Sequence, residues 1–216
     1  MVVKILNLYA CLGGNRYKWD EVADIDVTAV EYDPELARMY KERFPNDNVV
    51  VGDAHQYLLD YYQDYDVIWS SPPCPTHSRA RYWGIGANGK NPTYPDIRLY
   101  QEILFLQYHY KGKYIVENVI PYYEPLIPAK KRGRHLYWTN FNLPNNLGDR
   151  RFKISATRNE LQELCKFHDI DLRDYNGKQS KGKRGRNLVD YEAGRTILET
   201  ALGIIRKQNV KQTELW

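Results

Sequence analysis

VKILNLYACLGG, residues 3–14, begins with a short apolar run and ends in a turn rich in glycine. An apolar run of this length, bounded by a turn, is typical of a strand buried on both faces of a parallel sheet. Four further runs share this character: VTAVEY (27–32), NVVVGD (48–53), YDVIWS (65–70) and KYIVENV (113–119). The sequence therefore predicts a sheet of several parallel strands.

Helical segments separate these predicted strands. PELARMYKERF, residues 34–44, begins with a proline at a helix start and carries apolar residues at helical spacing. Helices are also predicted over NRYKWDEVA (15–23), AHQYLLDYYQ (54–63) and PDIRLYQEILFLQYHY (95–110). Strands that alternate with helices predict a Rossmann-like α/β fold with a doubly wound, mostly parallel sheet.

The pattern changes from about Asn140. Four segments follow, predicted in turn as a loop, a helix, a flexible basic tract and a closing helix: NFNLPNNLGDRRFKIS (140–155), RNELQELCKFH (158–168), DYNGKQSKGKRGR (174–186) and EAGRTILETALGIIRK (192–207). We therefore divide the chain into a core (1–140), a basic region (141–188) and a closing helix with a flexible tail (189–216).

The 216-residue chain has a net charge of +4 and 43% hydrophobic residues, enough for a sizeable core. Its three cysteines, Cys11, Cys74 and Cys165, form no CxxC pair, which argues against a disulfide scaffold or a metal site. No stretch approaches the roughly 18 apolar residues of a membrane span, and the first residues lack a signal-peptide pattern. We therefore expect a cytoplasmic monomer with no membrane partner.

The ends of three predicted strands suit a nucleoside. The glycines after the first strand permit close approach of a ligand, Glu31 can accept hydrogen bonds from ribose hydroxyls, and Asp53 can accept one from an adenine amino group. Doubly wound sheets bind ligands at these carboxyl ends. Because the turn lacks GxGxxG, a dinucleotide is disfavoured, and S-adenosylmethionine becomes the better candidate.

Six segments resemble, in order and spacing, the motifs of the DNA (cytosine-5) methyltransferase family: LNLYACLGGNR (6–16), VEYDP (30–34), VGDA (51–54), SSPPCPTHS (70–78), VENV (116–119) and KKRGRHLYW (130–138). The family's corresponding motifs include DLFAGxGG, PCQxFS, ENV and QxRxR. YEAGRTILETALG (191–203) resembles the closing GNS segment more loosely. The whole pattern looks like a small phage-type or orphan member with a reduced target-recognition region.

The resemblance implies methyl transfer from S-adenosylmethionine to carbon 5 of cytosine in DNA. Carbon 5 is a poor nucleophile, so a cysteine thiolate first adds at carbon 6 and makes the ring electron-rich. By the family pattern Cys74 is this nucleophile and Glu117 acts at ring nitrogen 3. Arg134, with Arg132 beside it, contacts the pyrimidine carbonyl.

The resemblance also implies a set of cofactor-binding residues. Tyr9 would stack near the adenine, Glu31 would bind the ribose, and Asp53 would bind the adenine amino group. The full set expected on this basis is Tyr9, Ala10, Cys11, Gly13, Gly14, Glu31, Tyr32, Asp53, Ala54, Pro72 and Thr196.

Double-stranded DNA is the expected partner. Carbon 5 of cytosine is hidden in a duplex, so the base must be flipped out, and phosphate contacts would hold the DNA. Two basic stretches, 130–134 and 178–186, supply most of the expected contacts, although the second could instead be a solvated loop. The expected nucleic-acid-binding residues are Ser78, Arg79, Lys130, Lys131, Lys178, Lys181, Lys183, Arg184 and Arg186.

The chain departs from the family pattern in four ways. Cys11 replaces a glycine of the cofactor loop, Pro75 replaces the usual glutamine after the nucleophile, and Gly194-Arg195-Thr196 stands in the GNS position. Only about 50 residues, 140–189, separate the arginine segment from the closing helix. We therefore expect a minimal enzyme with short-site specificity, as in phage or restriction-modification systems.

Three other functions stay open. SSPPC also resembles the SPPY/W motif of enzymes that methylate exocyclic amino groups, but those enzymes need no thiol. The short region 140–189 is compatible with a tRNA substrate, and Cys11 is compatible with a catalytically silent nucleic-acid-binding protein. The tail QTELW (212–216) loosely resembles peptides that dock on bacterial sliding clamps.

Overall fold

The computed structural model describes residues 1–85, 89, 91–148, 150 and 159–204, and its seven strands form one sheet. In chain order the strands are β1 (Val3–Leu8), β2 (Ile25–Glu31), β3 (Asn48–Val51), β4 (Val67–Ser70), β5 (Lys113–Val119), β6 (Lys130–Arg132) and β7 (His135–Thr139). Their order across the sheet is β3-β2-β1-β4-β5-β7-β6. Strands β1 to β5 run parallel to one another, whereas β7 runs antiparallel to β5 and β6. The predicted mostly parallel sheet is confirmed.

Seven α-helices accompany the sheet: α1 (Pro34–Arg43), α2 (Ala54–Tyr61), α3 (Arg79–Trp83), α4 (Arg98–His109), α5 (Glu160–His168), α6 (Lys181–Asn187) and α7 (Tyr191–Ala201). Two short 3-10 turns lie at Trp19–Glu21 and Tyr62–Asp64. Helix α1 begins as its sequence predicts, with Pro34 in its first turn and the side chain of Asp33 accepting a hydrogen bond from the Glu35 N–H. No helix in the described ranges is long and apolar enough to cross a membrane.

Both faces of the sheet are covered. Leu6 of β1 lies in a buried cluster with Leu58 of α2 and Ile103 of α4. Its neighbour Ile5 points to the other face and packs in a second cluster with Ile197 of α7. This alternation follows from the period of two along a strand, and it gives the doubly wound arrangement that the sequence predicts.

The predicted helix over 15–23 is wrong, because this segment contains only a 3-10 turn. Arg16 is buried there and donates two hydrogen bonds of 2.9 Å to Asp47. The indole of Trp19 donates to the carbonyl of Gly194 at 3.2 Å. These two side chains anchor the segment to different parts of the protein, so tertiary contacts override its local helical preference.

Helices α5 and α6 pack against each other to form a cap, residues 160–187, on the core. Gly185 of α6 lies against Leu164 and Leu172, and the resulting cluster reaches Leu12 after β1. The prediction of a flexible tract over 174–186 is therefore wrong for its second half, which forms α6. The glycines at 182 and 185 conceal this helix in the sequence, since glycine disfavours helix in isolation.

Several predictions fall outside the described residues. Residues 140–148 and 150 contain neither helix nor strand, in agreement with the predicted loop, whereas 151–155 lie outside the description. The closing helix ends at Ala201 in the structure, and the last part of the prediction, 205–207, is not described. The clamp-like tail 212–216 also lies outside the described ranges.

Close packing of α7 on the turn after β1 yields the first prediction. A methyl group added at Gly194 would overlap the backbone of Asn15, lying 2.7 Å from its Cα. Gly194→Ala should therefore lower the free energy of unfolding by about 1–3 kcal/mol, as in other overpacked cores. Urea unfolding followed by far-UV circular dichroism measures this change.

Gly182→Ala in α6 is the matched control. The nearest atom to an added methyl group there is Glu160 Oε2 at 3.8 Å, so the substitution fits. Alanine is a better helix former than glycine by about 0.5–1 kcal/mol, and this variant should be as stable as the parent or slightly more stable. Equal unfolding midpoints for both variants would contradict the tight α7 packing.

Candidate active site

The loop after β4 presents Cys74 at the carboxyl end of the sheet. Pro72 is buried, and its carbonyl accepts a hydrogen bond of 2.9 Å from the Asn118 side chain at the end of β5. The carbonyl of Cys74 accepts from the N–H groups of His77 and Ser78 at 3.0 and 3.1 Å. The backbone on both sides of the half-buried thiol is therefore held in place.

Burial and two charged groups shift the pKa of this thiol. Burial raises the pKa of Cys74, and the nearby Glu117 carboxylate raises it further. Lys183 of α6 acts in the opposite direction. The sequence assigned Lys183 only to nucleic acid, because nothing in its spacing shows that the cap brings it towards Cys74.

Glu117 lies on β5 beside the hairpin of β6 and β7. It pairs across strands with Tyr137, its side chain is only 7% exposed, and its Oε1 lies 3.5 Å from His135 Nε2. Partial burial lowers the pKa of Arg134, and the charge of Glu117 opposes this shift. Since Glu117 acts electrostatically on both Cys74 and Arg134, the structure brings the three predicted catalytic groups to one region.

A cavity of about 440 Å³ lies on the hairpin side of these groups. Arg134 and His135 line it from the hairpin, and Asp190 and Ala193 line it from the start of α7. Arg134 stays accessible to solvent and makes no hydrogen bond with the described part of the chain. The guanidinium is therefore free to bind a group that enters the cavity.

Arg132 does not join the catalytic group, contrary to the sequence prediction. Its guanidinium donates to the carbonyls of Leu143 and Pro144 at 3.0 and 2.6 Å and to the Asn145 side chain at 3.1 Å. It stabilises the hairpin against the following segment. The sequence could not distinguish Arg132 from Arg134, because the two residues belong to one motif.

The turn after β1 forms the predicted cofactor side of the site. Tyr9, Cys11 and Gly13 have φ angles of 57°, 48° and 65°, in the left-handed region. This region costs a residue with a side chain about 1–2 kcal/mol, which explains why the family pattern has glycine where this chain has Cys11. The thiol of Cys11 is enclosed, and burial with the charge of Glu31 raises its pKa to about 12.

Glu31 connects this turn to β2. One carboxylate oxygen accepts from the Cys11 N–H at 2.8 Å, and the other accepts from the Asp33 N–H at 3.0 Å. Burial raises the pKa of Glu31, although these hydrogen bonds oppose the shift. Each oxygen keeps a second lone pair, so the carboxylate can still accept from a ligand.

Asp53 and Tyr32 are the exposed members of the predicted set. Asp53 caps α2 by accepting from the His55 N–H at 2.9 Å, and its side chain is 48% exposed. Tyr32 is 77% exposed. Ala10 and Ala54 are buried between these groups and fix the backbone on either side.

The remaining predicted cofactor residues lie where α7 meets the turn. A methyl group added at Gly14 would lie 2.5 Å from the Val189 carbonyl, so glycine is required for this packing. Thr196 is half-buried on α7. Its carbonyl accepts a hydrogen bond of 2.7 Å from the Thr200 hydroxyl, an ordinary contact within a helix.

A buried carboxylate that the sequence analysis missed lies beneath this turn. Glu102 of α4 is 0% exposed and accepts from the hydroxyls of Tyr9 and Ser70 at 2.5 and 2.6 Å. It also lies 2.9 Å from the His55 ring. The sequence did contain a sign of this burial, because Glu102 lies at helical spacing from the apolar residues Leu99 and Leu106 on the buried face of α4.

The residues at the ends of β1, β2 and β3 fit an adenine nucleoside. The Asp53 carboxylate and the Tyr32 ring are exposed at the strand ends, and Glu31 has acceptor capacity left beside the turn. The three groups would suit, in that order, the adenine amino group, the face of the adenine ring and the two ribose hydroxyls. This arrangement is what the cofactor S-adenosylmethionine would require of the protein.

The predicted nucleic-acid-binding residues separate into two groups. Arg184 is only 1% exposed, and its guanidinium donates to the Tyr175 carbonyl at 2.5 Å, so it stabilises the cap instead of facing a ligand. Lys130 is tied to the Thr139 hydroxyl and the Phe141 carbonyl at 2.9 and 2.5 Å. Arg184 and Lys130 therefore do not belong to the predicted nucleic-acid-binding surface.

The other predicted basic residues lie at the surface. Lys181 donates to the Arg173 carbonyl at 2.8 Å, and Arg186 pairs with Glu160 at 2.9 Å. Ser78 is half-buried at the start of α3. The exposed residues that keep their charged groups available are Lys131, Lys178 and Lys183, whereas Arg79 is exposed but its Nε donates to the Pro121 carbonyl at 3.2 Å.

A second cavity, of about 550 Å³, lies at the amino-terminal end of β2. Its charged residues include Asp20 and Asp47, and both carboxylates are already paired with Arg16. The cavity lies at the opposite edge of the sheet from Cys74. It therefore has no part in the site.

Comparison with known proteins gives a family match and structural relatives. The family model for C-5 cytosine-specific DNA methylase matches residues 3–120. No curated protein sequence gives a significant match. The structure resembles Entamoeba histolytica methyltransferase EhMeth, with a TM-score of 0.55, 10% identity, and coverage of 96% of this chain and 100% of that chain. This likeness shows a Rossmann-like α/β fold.

Two further solved structures resemble part of this chain. A mutant of Spodoptera frugiperda DNMT2 is 28% identical, with a TM-score of 0.39, over 54% of this chain and 35% of that chain. A DNA modification methyltransferase encoded within an Escherichia coli prophage is 21% identical, with a TM-score of 0.38, over 56% and 34%. The chain thus spans about a third of the length of these two proteins.

The family match covers more than half of the 216 residues, and it includes the turn after β1, Cys74 and Glu117. We conclude that the chain belongs to the C-5 cytosine-specific DNA methylase family.

Proposed function

We propose that the protein transfers a methyl group from S-adenosylmethionine to carbon 5 of cytosine in DNA, through a covalent adduct with Cys74. The observation that carries this proposal is the grouping of Cys74, Glu117 and Arg134 beside a cavity, next to strand ends that fit a nucleoside. Nucleophile, carboxyl group and guanidinium then face a single base. The family match supports the same reaction.

Each of the three groups has one role in this reaction. The Cys74 thiolate forms a bond to carbon 6, and the electron pair of the carbon 5–carbon 6 double bond moves through the ring towards nitrogen 3. The carboxyl group of Glu117 gives its proton to nitrogen 3, while Arg134 donates hydrogen bonds to the carbonyl oxygen. Carbon 5 becomes nucleophilic as a result.

The cofactor side supplies the electrophile. When bound, S-adenosylmethionine would supply a methyl group on a positively charged sulfur; as carbon 5 takes this methyl group, the carbon–sulfur bond would break and a neutral thioether would leave. Loss of the carbon 5 proton to a base, with departure of the Cys74 thiolate from carbon 6, restores the ring, and nitrogen 3 returns its proton to Glu117. Tyr9, Glu31 and Asp53 hold the adenine and the ribose in this proposal.

The DNA surface would lie on the basic residues that stay exposed. Arg79 follows Cys74 at the start of α3, Lys131 lies on β6, and Lys178 and Lys183 lie on or before α6. Of these four residues, Lys183 also acts electrostatically on the Cys74 thiol. They suit phosphate contacts on both sides of a flipped base.

The covalent step can be trapped. DNA that contains 5-fluoro-2′-deoxycytidine should form a denaturant-resistant adduct in the presence of S-adenosylmethionine, because fluorine cannot leave as a proton does. Cys74→Ser should abolish the adduct and lower the methylation rate at least about 10³-fold, as for other catalytic nucleophiles. Denaturing gel electrophoresis and mass spectrometry detect the adduct.

Cys165→Ser is the matched control, since Cys165 lies on α5 in the cap and should leave the adduct unchanged. An adduct that persists in Cys74→Ser would contradict the mechanism. Adduct formation on tRNA but not on DNA, at matched salt, would support the covalent mechanism and show that the substrate is RNA.

The raised pKa of Cys74 gives another prediction, which can be tested without substrate. Because burial and Glu117 raise the pKa of Cys74, alkylation of this thiol by iodoacetamide should reach its plateau at a higher pH than a free cysteine does. Lys183 lowers this pKa, so Lys183→Met should move the alkylation curve to still higher pH. Peptide mass spectrometry follows each cysteine separately.

Lys181→Met, in the same helix, is the control for Lys183→Met. The ammonium group of Lys181 is bonded to the Arg173 carbonyl and does not act on Cys74, so its removal should leave the alkylation curve in place. An identical curve for Lys183→Met and the parent would show that the cap does not influence the thiol.

A further inference from the structure

His135, which neither the sequence motif nor the proposed mechanism uses, lies beside Glu117. Strands β5 and β7 are antiparallel, with Glu117 opposite Tyr137 and Val119 opposite His135. Because side chains alternate along a strand, Glu117 and His135 are diagonal neighbours on one face of the sheet. Their closest atoms, Glu117 Oε1 and His135 Nε2, lie 3.5 Å apart.

The two side chains differ in their access to solvent. The Glu117 side chain is 7% exposed, whereas the His135 side chain is 20% exposed and lines the cavity of about 440 Å³. The imidazole therefore stands between a buried carboxyl group and the cavity. A shift of a few tenths of an ångström would close a hydrogen bond between them.

Other charged and titratable groups also face His135. Arg134 precedes it in the hairpin turn, Tyr137 follows it on β7, and Asp190 faces it from the start of α7. Asp190 is itself paired with Arg150 at 2.9 Å. Among the described residues around His135, Glu117 alone combines proximity to the imidazole with burial and proximity to Cys74.

We propose that His135 is a positioning residue, which orients the Glu117 carboxyl group towards the target base and exchanges its proton with the cavity. This inference rests on the proposed function, because it assigns His135 to the same methyl-transfer site. It adds a group beside Glu117 whose own charge changes in acid, and hence a contribution to the pH dependence of the reaction.

The expected pH dependence follows from the charge of the imidazole. Burial lowers the pKa of His135, while the Glu117 carboxylate opposes this shift, so the imidazole is neutral at neutral pH. A neutral imidazole has a ring nitrogen with a free lone pair, which can accept a proton from the Glu117 carboxyl group. When acid protonates His135, both ring nitrogens become donors, so the imidazole can no longer accept that proton.

The first test measures the coupling without any reaction. In NMR spectra of the full-length protein, the ring C–H signal of His135, assigned by its loss in His135→Gln, reports the imidazole pKa. Glu117→Gln removes the opposing carboxylate and should lower this pKa further. An unchanged midpoint in Glu117→Gln would overturn the proposal, whatever the protein methylates.

The second test measures single-turnover methyl transfer as a function of pH. His135→Leu should lower the rate at least about tenfold at every pH, and His135→Gln, which keeps a hydrogen-bonding group, should restore much of it. The parent loses rate in acid through both Cys74 and His135, so the acid limb of His135→Gln should be shallower. Equal rates for His135→Leu and the parent, or parallel acid limbs, would overturn the proposal.

His109→Gln serves as the control, because His109 is exposed at the end of α4 and should leave rate and pH profile unchanged. The two levels of failure are distinguishable. A protein that methylates no nucleic acid contradicts the proposed function, while the NMR titration still decides whether His135 and Glu117 are coupled.

Discussion

One hydrogen bond, from the Asn118 side chain to the Pro72 carbonyl, determines how the parts of the site face each other. It joins the loop that carries Cys74 to the strand that carries Glu117, and it is buried, so water does not compete for it. Both flanking segments are stiff: two prolines precede the thiol, and Glu117 belongs to a strand paired on both sides. The separation of the Cys74 thiol and the Glu117 carboxyl group is therefore a property of the fold and is present before any ligand arrives.

Two buried carboxyl groups near the strand ends show how surroundings assign different roles to one functional group. Glu102 accepts from two hydroxyls and lies 2.9 Å from a ring nitrogen, so most of its acceptor capacity is engaged and it serves as a fixed support under the turn after β1. Glu117 accepts no hydrogen bond from the described residues, and its Oε1 lies 3.5 Å from His135 Nε2. A carboxyl group whose acceptor capacity is unused is available for chemistry, whereas one that is mostly engaged in support is less so.

The strands and the positions of Cys74 and Glu117 were predictable, because apolar runs and short motifs are local properties of the chain. The roles of individual arginines were not. Arg132 and Arg184 have the same local appearance as residues that bind a ligand, yet their guanidinium groups pair with backbone carbonyls 12 and 9 residues away, at Pro144 and Tyr175. The segment 15–23 failed as a helix for a related reason, since its stable conformation depends on Asp47 and Gly194. Local patterns do not encode which distant partner a polar side chain meets.

The contact between Trp19 and Gly194 has a consequence for biosynthesis. These residues are 175 positions apart in the chain. At a synthesis rate of about 5–20 residues per second, Trp19 waits roughly 10–35 s for its partner to be made. During this interval the turn after β1 lacks the helix that packs on it, and a large aromatic side chain stays uncovered. The packing around the turn after β1 is therefore among the last parts of the protein to be completed, and a nascent chain released early would lack it.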